Sequence, residues 1–420
     1  MSAVAAVGRE KHLDALTGVR ALAAGWVVAF HLWLNAGHPV LVLPGVGVDL
    51  TPWVAVGWLG VDVFFILSGF VLTWQVLHAR ASRDSPHAAS SASSSAARVH
   101  EPGILRAHFW RDAGAFIRRR ALRVYPAYLA CLSVLLPLAW WGVYRTPSEL
   151  GDVALHLAMF HNIVPRYVDS INGVFWSMPF EWQFYLIFPL LVLPVVRART
   201  GWLVVGAVTV AVCAKLSSAL QGPGAEIAQL PWRIDEFVAG MAAAAIAVRC
   251  GWSPRTRTGM TWIAAAALVT GTWIVGVRDA TWWQPGAMPF MRSAWIDISV
   301  ASLLIGLSGS MSAIATLFAS RVMVWLGTIS YSIYLWHLPT LDLTRRMLRA
   351  HMPAMPVILD LGLTIVVVLA VSALSYYAIE RPFHAPPRDA GTQWRSPRVR
   401  LAIVVVWALG ILMVAALALQ

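Results

Sequence analysis

The sequence predicts an all-α integral membrane protein, a polytopic bundle of about 10–11 transmembrane helices. Of its 420 residues, 59% are hydrophobic and 12% are charged, against the roughly 25% charged residues usual in soluble domains. The mean hydropathy is +0.67. Long apolar runs also recur along the whole chain, each able to cross about 30 Å of hydrocarbon.

The candidate membrane helices follow one another with short connections. They cover residues 13–34, 54–78, 120–142, 173–196, 202–220, 230–248, 259–277, 292–312, 322–340, 357–379 and 400–419. The first is too long for the core of a signal peptide and is expected to be retained. With a cytoplasmic N-terminus, most of the 32 Lys and Arg residues fall in cytoplasmic loops, as the positive-inside rule requires. A multi-pass protein with its N-terminus in the cytoplasm is therefore expected.

Two segments depart from this pattern. Residues 82–103 are rich in Ser and Ala with almost no large apolar side chain, which predicts a flexible cytoplasmic linker. Residues 150–163 are apolar but short, as in an interfacial or re-entrant piece on the outer side.

Composition also excludes several classes of function. The net charge is +12, but the basic residues lie between hydrophobic runs rather than on a soluble face, which argues against nucleic-acid binding. Cys131, Cys213 and Cys250 show no spacing suited to a disulfide framework or a metal site. No metal is expected.

The first helix contains Arg20 and His31, two residues that are costly in hydrocarbon. Eleven residues on an α-helix give about 16 Å of rise and three turns plus some 20°, so both side chains face the same way. This face would offer an anion site near the cytoplasm and an acid/base group in the outer half. The alternative is that both side chains reach the interfaces as structural residues.

Other helices carry ionisable residues that the same topology places in the outer half. They are Asp62, Glu181, Arg233, Asp235, Glu236 and His337. Intramembrane charges usually face the bundle interior or a water-filled cavity, so we expect a shared polar cavity open to the outside. On the cytoplasmic side, Arg120 and Arg123 lie three residues apart and share a helix face suited to phosphate oxygens. Ordinary positive-inside anchoring is the alternative for these arginines.

The chain resembles acyltransferase family 3, the multi-pass membrane O-acyltransferases of bacteria. The resemblance rests on six stretches that occur in the family's order. They read "LDALTGVRALAAGWVVAFH", "GVDVFFILSGF", "RRALRVYPAY", "WSMPFEWQFY", "YSIYLWH" and "AIERPF". It implies a family membrane domain over residues 1–383, interrupted by the 82–103 linker. A cytoplasmic loop at 384–399 and an additional C-terminal transmembrane helix at 400–420 would follow.

The resemblance also implies site residues and substrates. His31 corresponds to the family's essential histidine, and Arg20, Arg120 and Arg123 to residues associated with the acyl-CoA donor. Glu181 falls in the element that begins at Trp176, although Pro179 and Trp182 replace residues common in the family. Glu181 is the first candidate for orienting or charging His31, with His337 second.

The function implied is O-acyl transfer in the bacterial cytoplasmic membrane. An acyl group, expected to be acetyl from acetyl-CoA, would pass from the cytoplasmic donor to a hydroxyl of a surface or lipid-linked glycan or another exported acceptor. His31 would either deprotonate this hydroxyl or carry the acyl group itself. The alternative is a transporter or flippase, because ionisable residues at mid-depth also mark translocation paths.

Overall fold

The computed structural model describes residues 3–83, 102–145, 149–221, 229–278 and 288–384. Within these ranges the chain is helical, and the one β-type contact is an isolated bridge between Val42 and Asp49. The described α-helices are α1 Ala3–Asn35, α2 Thr51–Ala55, α3 Gly60–Arg83, α4 Pro102–Trp140, α5 Leu150–Ala158, α6 Met178–Val196, α7 Thr200–Gln221, α8 Ile234–Arg249, α9 Pro254–Val277, α10 Met288–Leu307, α11 Ala313–Phe318, α12 Arg321–Thr328, α13 Ser330–His351, α14 Val357–Ser375 and α15 Arg381–His384.

Seven of the described helical stretches are long and apolar enough to cross a membrane. They are Asp14–Asn35, Gly57–Ala81, Asp112–Trp140, Phe175–Val196, Thr200–Ser217, Pro254–Val277 and Val357–Phe383. Each matches one of the predicted spans, and the all-α polytopic class is confirmed. The predicted spans 230–248 and 292–312 fall on α8 and α10, which do not reach the same combination of length and hydropathy.

The predicted span 322–340 is not one helix. The chain forms α12, turns at Ile329 and begins α13 at Ser330. Gly327 lies against α1 at this break, where an added Cβ would come within 1.9 Å of the Thr17 carbonyl oxygen. A hydropathy profile detects neither this close helix contact nor the break beside it.

The predicted linker and C-terminal helix lie largely outside the described residues. Ser82 and Arg83 end α3, and Pro102 and Gly103 begin α4, so these four residues are helical, and the rest of the predicted linker lies outside the described residues. His384 ends α15 rather than opening a loop, and the predicted helix at 400–420 falls entirely outside the described ranges. The short 150–163 segment forms α5 and a 3-10 turn at His161–Ile163.

Two hydrophobic cores hold the described helices together. One is built around α4, α6 and α13, with Tyr128, Phe180 and Phe184 fully buried. The other joins α1, α3, α8 and α10, and α3 and α8 cross at two glycines. The inner faces of α1, α3, α4, α6 and α13 meet between these cores and enclose the candidate site.

Candidate active site

Helices α1 and α13 lie side by side, joined by polar contacts at three levels. Arg20 Nε donates to Ser330 Oγ at 3.1 Å, His31 Nδ1 lies 3.3 Å from His337 Nε2, and Asn35 Nδ2 donates to Asp342 Oδ1 at 3.0 Å. Both sets of residue numbers rise together, so the two helices run in the same direction. Arg20 and His31 therefore face the same neighbour, in agreement with the sequence spacing.

The two histidines form a pair whose hydrogen bonds fix their tautomers. His337 is fully buried, and its Nδ1 lies 2.8 Å from the Tyr334 carbonyl and 3.1 Å from the Ile333 carbonyl. A nitrogen facing two carbonyl oxygens carries the proton, so His337 Nε2 presents its lone pair to His31. His31 Nδ1, which also lies 2.9 Å from the Val27 carbonyl, is then the donor. We assign the unprotonated nitrogen of His31 to Nε2, the position of a general base.

A cleft that opens to the surroundings lies next to this pair, and its empty space, the adjoining solvent included, is about 550 Å³. Its lining consists of Arg20, Val61, Phe64, Phe65, Arg123, Val124, Ser177, Met178, Glu181, Tyr185, Ser330, Tyr331 and Tyr334. Tyr334 connects this lining to the pair, since its hydroxyl lies 2.7 Å from Ser177 Oγ and its ring centroid is 5.8 Å from that of His337. The histidine pair therefore lies just beyond Tyr334, outside the lining itself.

The charged lining of the cavity combines two arginines with one carboxylate. The arginines are Arg20 and Arg123, and the carboxylate is that of Glu181. Glu181 accepts hydrogen bonds from Ser68 Oγ at 3.1 Å and from Tyr185 Oη. Aromatic side chains form much of the remaining wall. Such a pocket can hold an elongated ligand with an anionic end near the guanidinium groups.

Arg120 stands beside this cavity rather than in it. Its Nη2 donates to Gln75 Oε1 at 3.3 Å, and its guanidinium lies 5.8 Å from the ring centroid of Tyr185, a residue of the cavity wall. The structure therefore brings Arg20, Arg123 and Glu181 together, with Arg120 behind Tyr185. Arg120 and Arg123 lie inside α4 and not at its start, because α4 begins at Pro102.

Glu181 and His31 have different partners in this structure. The hydrogen bonds of Glu181 go to Ser68 and Tyr185, whereas His31 pairs with His337. The residue that His31 contacts is thus the second sequence candidate, His337, together with the Val27 carbonyl. The contact joins residues 306 positions apart, so no local spacing could have ranked it first.

Sequence reasoning missed a second carboxylate near the arginines. Glu380 lies on a π-helical turn, Tyr376–Glu380, where it is buried, accepts from Ser332 Oγ and faces the charges of Arg123 and Arg20. Single π-turns often mark functional sites. The signal that could have found it was the "AIERPF" stretch, which contains this residue.

The other acidic and basic residues that the sequence places in the outer half form a separate group. Arg233 is ion-paired with Asp62 and with Glu236, the latter at 2.7 Å, and Lys215 Nζ lies 2.6 Å from Asp235 Oδ2. These pairs neutralise one another away from the cavity lining. The single shared cavity expected from residue depth is therefore replaced by three groups: the arginine cavity, the histidine pair and this ion-pair network. Among the described residues, no group of three His, Cys, Asp or Glu could hold a metal ion.

Comparison with known proteins identifies the family. A model described as an acyltransferase domain, that of acyltransferase family 3, matches residues 13–377. The chain belongs to this family. The match extends from α1 into the π-turn, so the histidine pair and the arginine cavity both lie in the acyltransferase domain.

Curated relatives are similar over most of the chain. "Putative peptidoglycan O-acetyltransferase YrhL" of Bacillus subtilis (strain 168) is 24% identical over 94% of this chain and 58% of its own length. "Acyltransferase MdmB" of Streptomyces mycarofaciens is 26% identical over 78% of this chain and 79% of its own. "Peptidoglycan O-acetyltransferase OatA" of Listeria monocytogenes is 24% identical over 89% of this chain and 56% of its own. The chain thus spans less than two thirds of YrhL and OatA, and no solved structure matches it.

Proposed function

We propose that this acyltransferase-family protein is a membrane O-acetyltransferase that uses cytoplasmic acetyl-CoA and acetylates a hydroxyl of a surface or lipid-linked glycan. The observation that carries the proposal is the cavity with Arg20 and Arg123 at its charged part and the histidine pair just past Tyr334. The names of YrhL and OatA support acetyl transfer and a glycan acceptor.

The donor would enter with its phosphates toward the arginines. Guanidinium groups bind phosphate oxygens through paired charge-assisted hydrogen bonds. Arg20 and Arg123 lie at the cavity, and Arg120 is next to them behind Tyr185. The roughly 16 Å of helix rise between Arg20 and His31 is comparable to an extended pantetheine arm. The thioester would thereby reach the histidine pair while the phosphates stay with the arginines.

His31 Nε2 would then act on the acceptor. It would take the proton of the hydroxyl, the hydroxyl oxygen would form a bond to the thioester carbonyl carbon, and the carbon–sulfur bond would break. The thiolate of coenzyme A would recover the proton from His31, so no net proton is released. A variant of the step has His31 Nε2 carry the acetyl group before the hydroxyl attacks. Both routes need the same tautomer, which the Val27 carbonyl and His337 Nε2 both favour by facing His31 Nδ1.

Paired variants on the donor helix test the proposal. We expect His31→Ala to abolish acetyl transfer while acetyl-CoA still binds, because the histidine lies at the thioester end. Arg20→Ala should lose both, because it removes a phosphate contact worth about 1.5–3 kcal/mol. The measurements are acetyl-CoA binding, turnover with labelled acetyl-CoA and thermal stability of detergent-purified protein.

The matched control is His351→Ala, at the exposed end of α13. It should keep wild-type turnover. More than about a tenth of wild-type turnover in His31→Ala would contradict the proposal, because a positioned base contributes about 10²–10⁴-fold. Movement of a glycan across vesicles without acetylation would favour the transporter instead.

A further inference from the structure

Two exposed arginines, which neither the proposed donor site nor the comparisons assign, lie on the side of the histidine pair that the predicted topology places toward the outside. Arg145 follows α4, and Arg346 lies on α13. Arg346 Nη1 donates to the Val143 carbonyl at 2.9 Å, two residues before Arg145. This hydrogen bond holds the segment that carries Arg145 against α13, so Arg145 and Arg346 lie on the same side of the protein. We call them the border arginines.

Arg145 lies close to the helix that carries His337. A Cβ added at Gly173 would come within 3.4 Å of both Nη atoms of Arg145 and 3.2 Å of Leu338 Cδ2. The Arg145 guanidinium thus packs against the backbone of Gly173, close to Leu338, the residue that follows His337. Its positive charge acts on His31 and on Asp342.

The neighbouring polar groups on the other side of His31 are already engaged. Asn35, one turn beyond His31, bonds Asp342 at 3.0 Å, and it accepts from Arg345 Nη1 at 2.6 Å. Arg345 is in turn ion-paired with Asp360 at 2.8 Å. These residues fasten α1 to α13 and leave little capacity for a ligand.

The two border arginines keep more of their binding capacity. Arg145 Nη1 donates to the Asp169 carbonyl at 3.0 Å and lies 3.6 Å from the Asp169 carboxylate, with both side chains exposed, and such surface pairs contribute little. In its bond to the Val143 carbonyl, Arg346 uses one of the five N–H donors of its guanidinium. An exposed positive border also draws anions toward the site by its field.

We infer that the acceptor carries a carboxylate or phosphate group, which Arg145 and Arg346 bind while its hydroxyl meets His31 Nε2. This inference rests on the proposed acetyl transfer and adds the substrate class. The arginines would act on binding of the acceptor and leave the donor untouched. Their loss should therefore raise KM for an anionic acceptor more than it lowers kcat.

The test uses three matched sugars as probes with labelled acetyl-CoA and full-length protein in lipid nanodiscs. They are methyl β-D-glucoside, methyl β-D-glucuronide and methyl β-D-glucoside 6-phosphate. We expect kcat/KM at least about tenfold higher for one or both charged sugars than for the neutral one, as a charge-assisted contact predicts. The charged sugar that is preferred shows whether the site binds a carboxylate or a phosphate.

Variants then assign the preference to the border. Arg145→Gln and Arg346→Gln should raise KM for the charged sugar about tenfold and leave the neutral sugar unchanged. Arg166→Gln is the matched control, because Arg166 is an exposed outer-loop arginine paired with Glu149; it should keep the preference.

Three results would overturn the inference. They are a preference below twofold in the wild type, a preference that survives both border variants, and no acetylation of any sugar by protein that binds acetyl-CoA. Failure of the proposed function has a different signature, since acetyl-CoA would then neither bind nor raise the melting temperature.

Discussion

The partners of His31 Nδ1 are a backbone carbonyl, that of Val27, and an imidazole, that of His337, rather than a carboxylate. A neutral imidazole fixes the tautomer of His31 but stabilises the protonated ring less than a carboxylate would. In the proposed reaction, a proton taken by His31 from a hydroxyl would be readily returned to a leaving thiolate. This suits a reaction in which one proton passes from acceptor to donor.

His337 is a positioning residue in this account, and its removal should affect turnover more than binding. We expect His337→Phe to lower kcat about 10- to 100-fold with KM for acetyl-CoA unchanged, because His31 Nδ1 loses one of its two acceptors and keeps only the Val27 carbonyl. His337→Gln should recover part of the loss, since its amide oxygen can accept the same hydrogen bond. The pH profile of kcat/KM is the measurement.

A purely structural role would give another pattern. The melting temperature would fall in both His337 variants, and the pH profile of the remaining activity would stay that of the wild type.

A second pair of histidines makes the fold sensitive to acid. The rings of His156 and His161 stack in parallel with centroids 3.8 Å apart, outside the candidate membrane spans. Burial, and then the neighbouring His156, lower the pKa of His161 to about 3. Because the folded pKa lies below the unfolded value of about 6.5, the unfolded state binds more protons between them. The stability is complete above about pH 6.5 and falls as the pH decreases toward 3.

At pH 5 the difference amounts to about 2 kcal/mol, from about 1.36 kcal/mol per pH unit below the unfolded pKa. We expect His161→Gln to reduce the loss of melting temperature between about pH 7.5 and pH 5. The amide does not titrate, yet it can donate to the Phe175 carbonyl that His161 Nε2 approaches at 3.1 Å. If the melting temperature of this variant falls between about pH 7.5 and pH 5 as much as that of the wild type, the acid sensitivity arises from other residues.

At the scale of helices, hydropathy predicted where the chain crosses but not how the helices pack. Seven spans agree with the structure because a long apolar run has few other stable arrangements in lipid. The break between α12 and α13 was missed, since 322–340 is largely apolar and the turn arises from contact with α1. Arg20 and His31 were placed on one face correctly because helical periodicity is local.

The crossing of α3 and α8 depends on the absence of side chains at two positions. A Cβ at Gly240 would lie 1.8 Å from the Ile66 carbonyl oxygen, and one at Gly69 would lie 2.0 Å from that of Phe237. Small residues allow such close approach in membrane helices. We expect Gly240→Leu to lower the melting temperature strongly and broaden the size-exclusion peak. Gly206→Leu on α7, where nothing lies within 4 Å, is the matched control.

The same crossing carries Ser68, which bonds Glu181. Separation of α3 from α8 should therefore also weaken acetyl-CoA binding in the Gly240 variant. A Gly240→Leu protein as stable as Gly206→Leu would contradict the packing argument.

At the scale of the molecule, the predicted depth of the ionisable residues did not reveal how they group in the interior. Ionisable residues on five helices suggested one polar cavity, but the structure divides them by charge. Asp62, Arg233 and Glu236 satisfy one another, whereas Arg20 and Arg123 remain beside a cavity. Depth follows from the sequence, but pairing depends on which side chains meet across helices, and a single sequence does not contain that information.

The proposed reaction needs the arginine cavity and the outer border to open toward opposite sides of the membrane. The charge distribution along the sequence predicts a cytoplasmic N-terminus, so the 82–103 segment should face the cytoplasm and the loop at Glu149 the outside.

In protein whose three cysteines are replaced by Ala, we expect Ser93→Cys to react with an impermeant maleimide only in inside-out vesicles. Glu149→Cys, exposed in the structure, should react only in right-side-out vesicles. Reaction of both from one side would break the predicted alternation of spans, and exchange of the two sides would turn Arg20 and Arg123 away from cytoplasmic acetyl-CoA. Either result would remove the donor side of the proposal while leaving the geometry of the histidine pair intact.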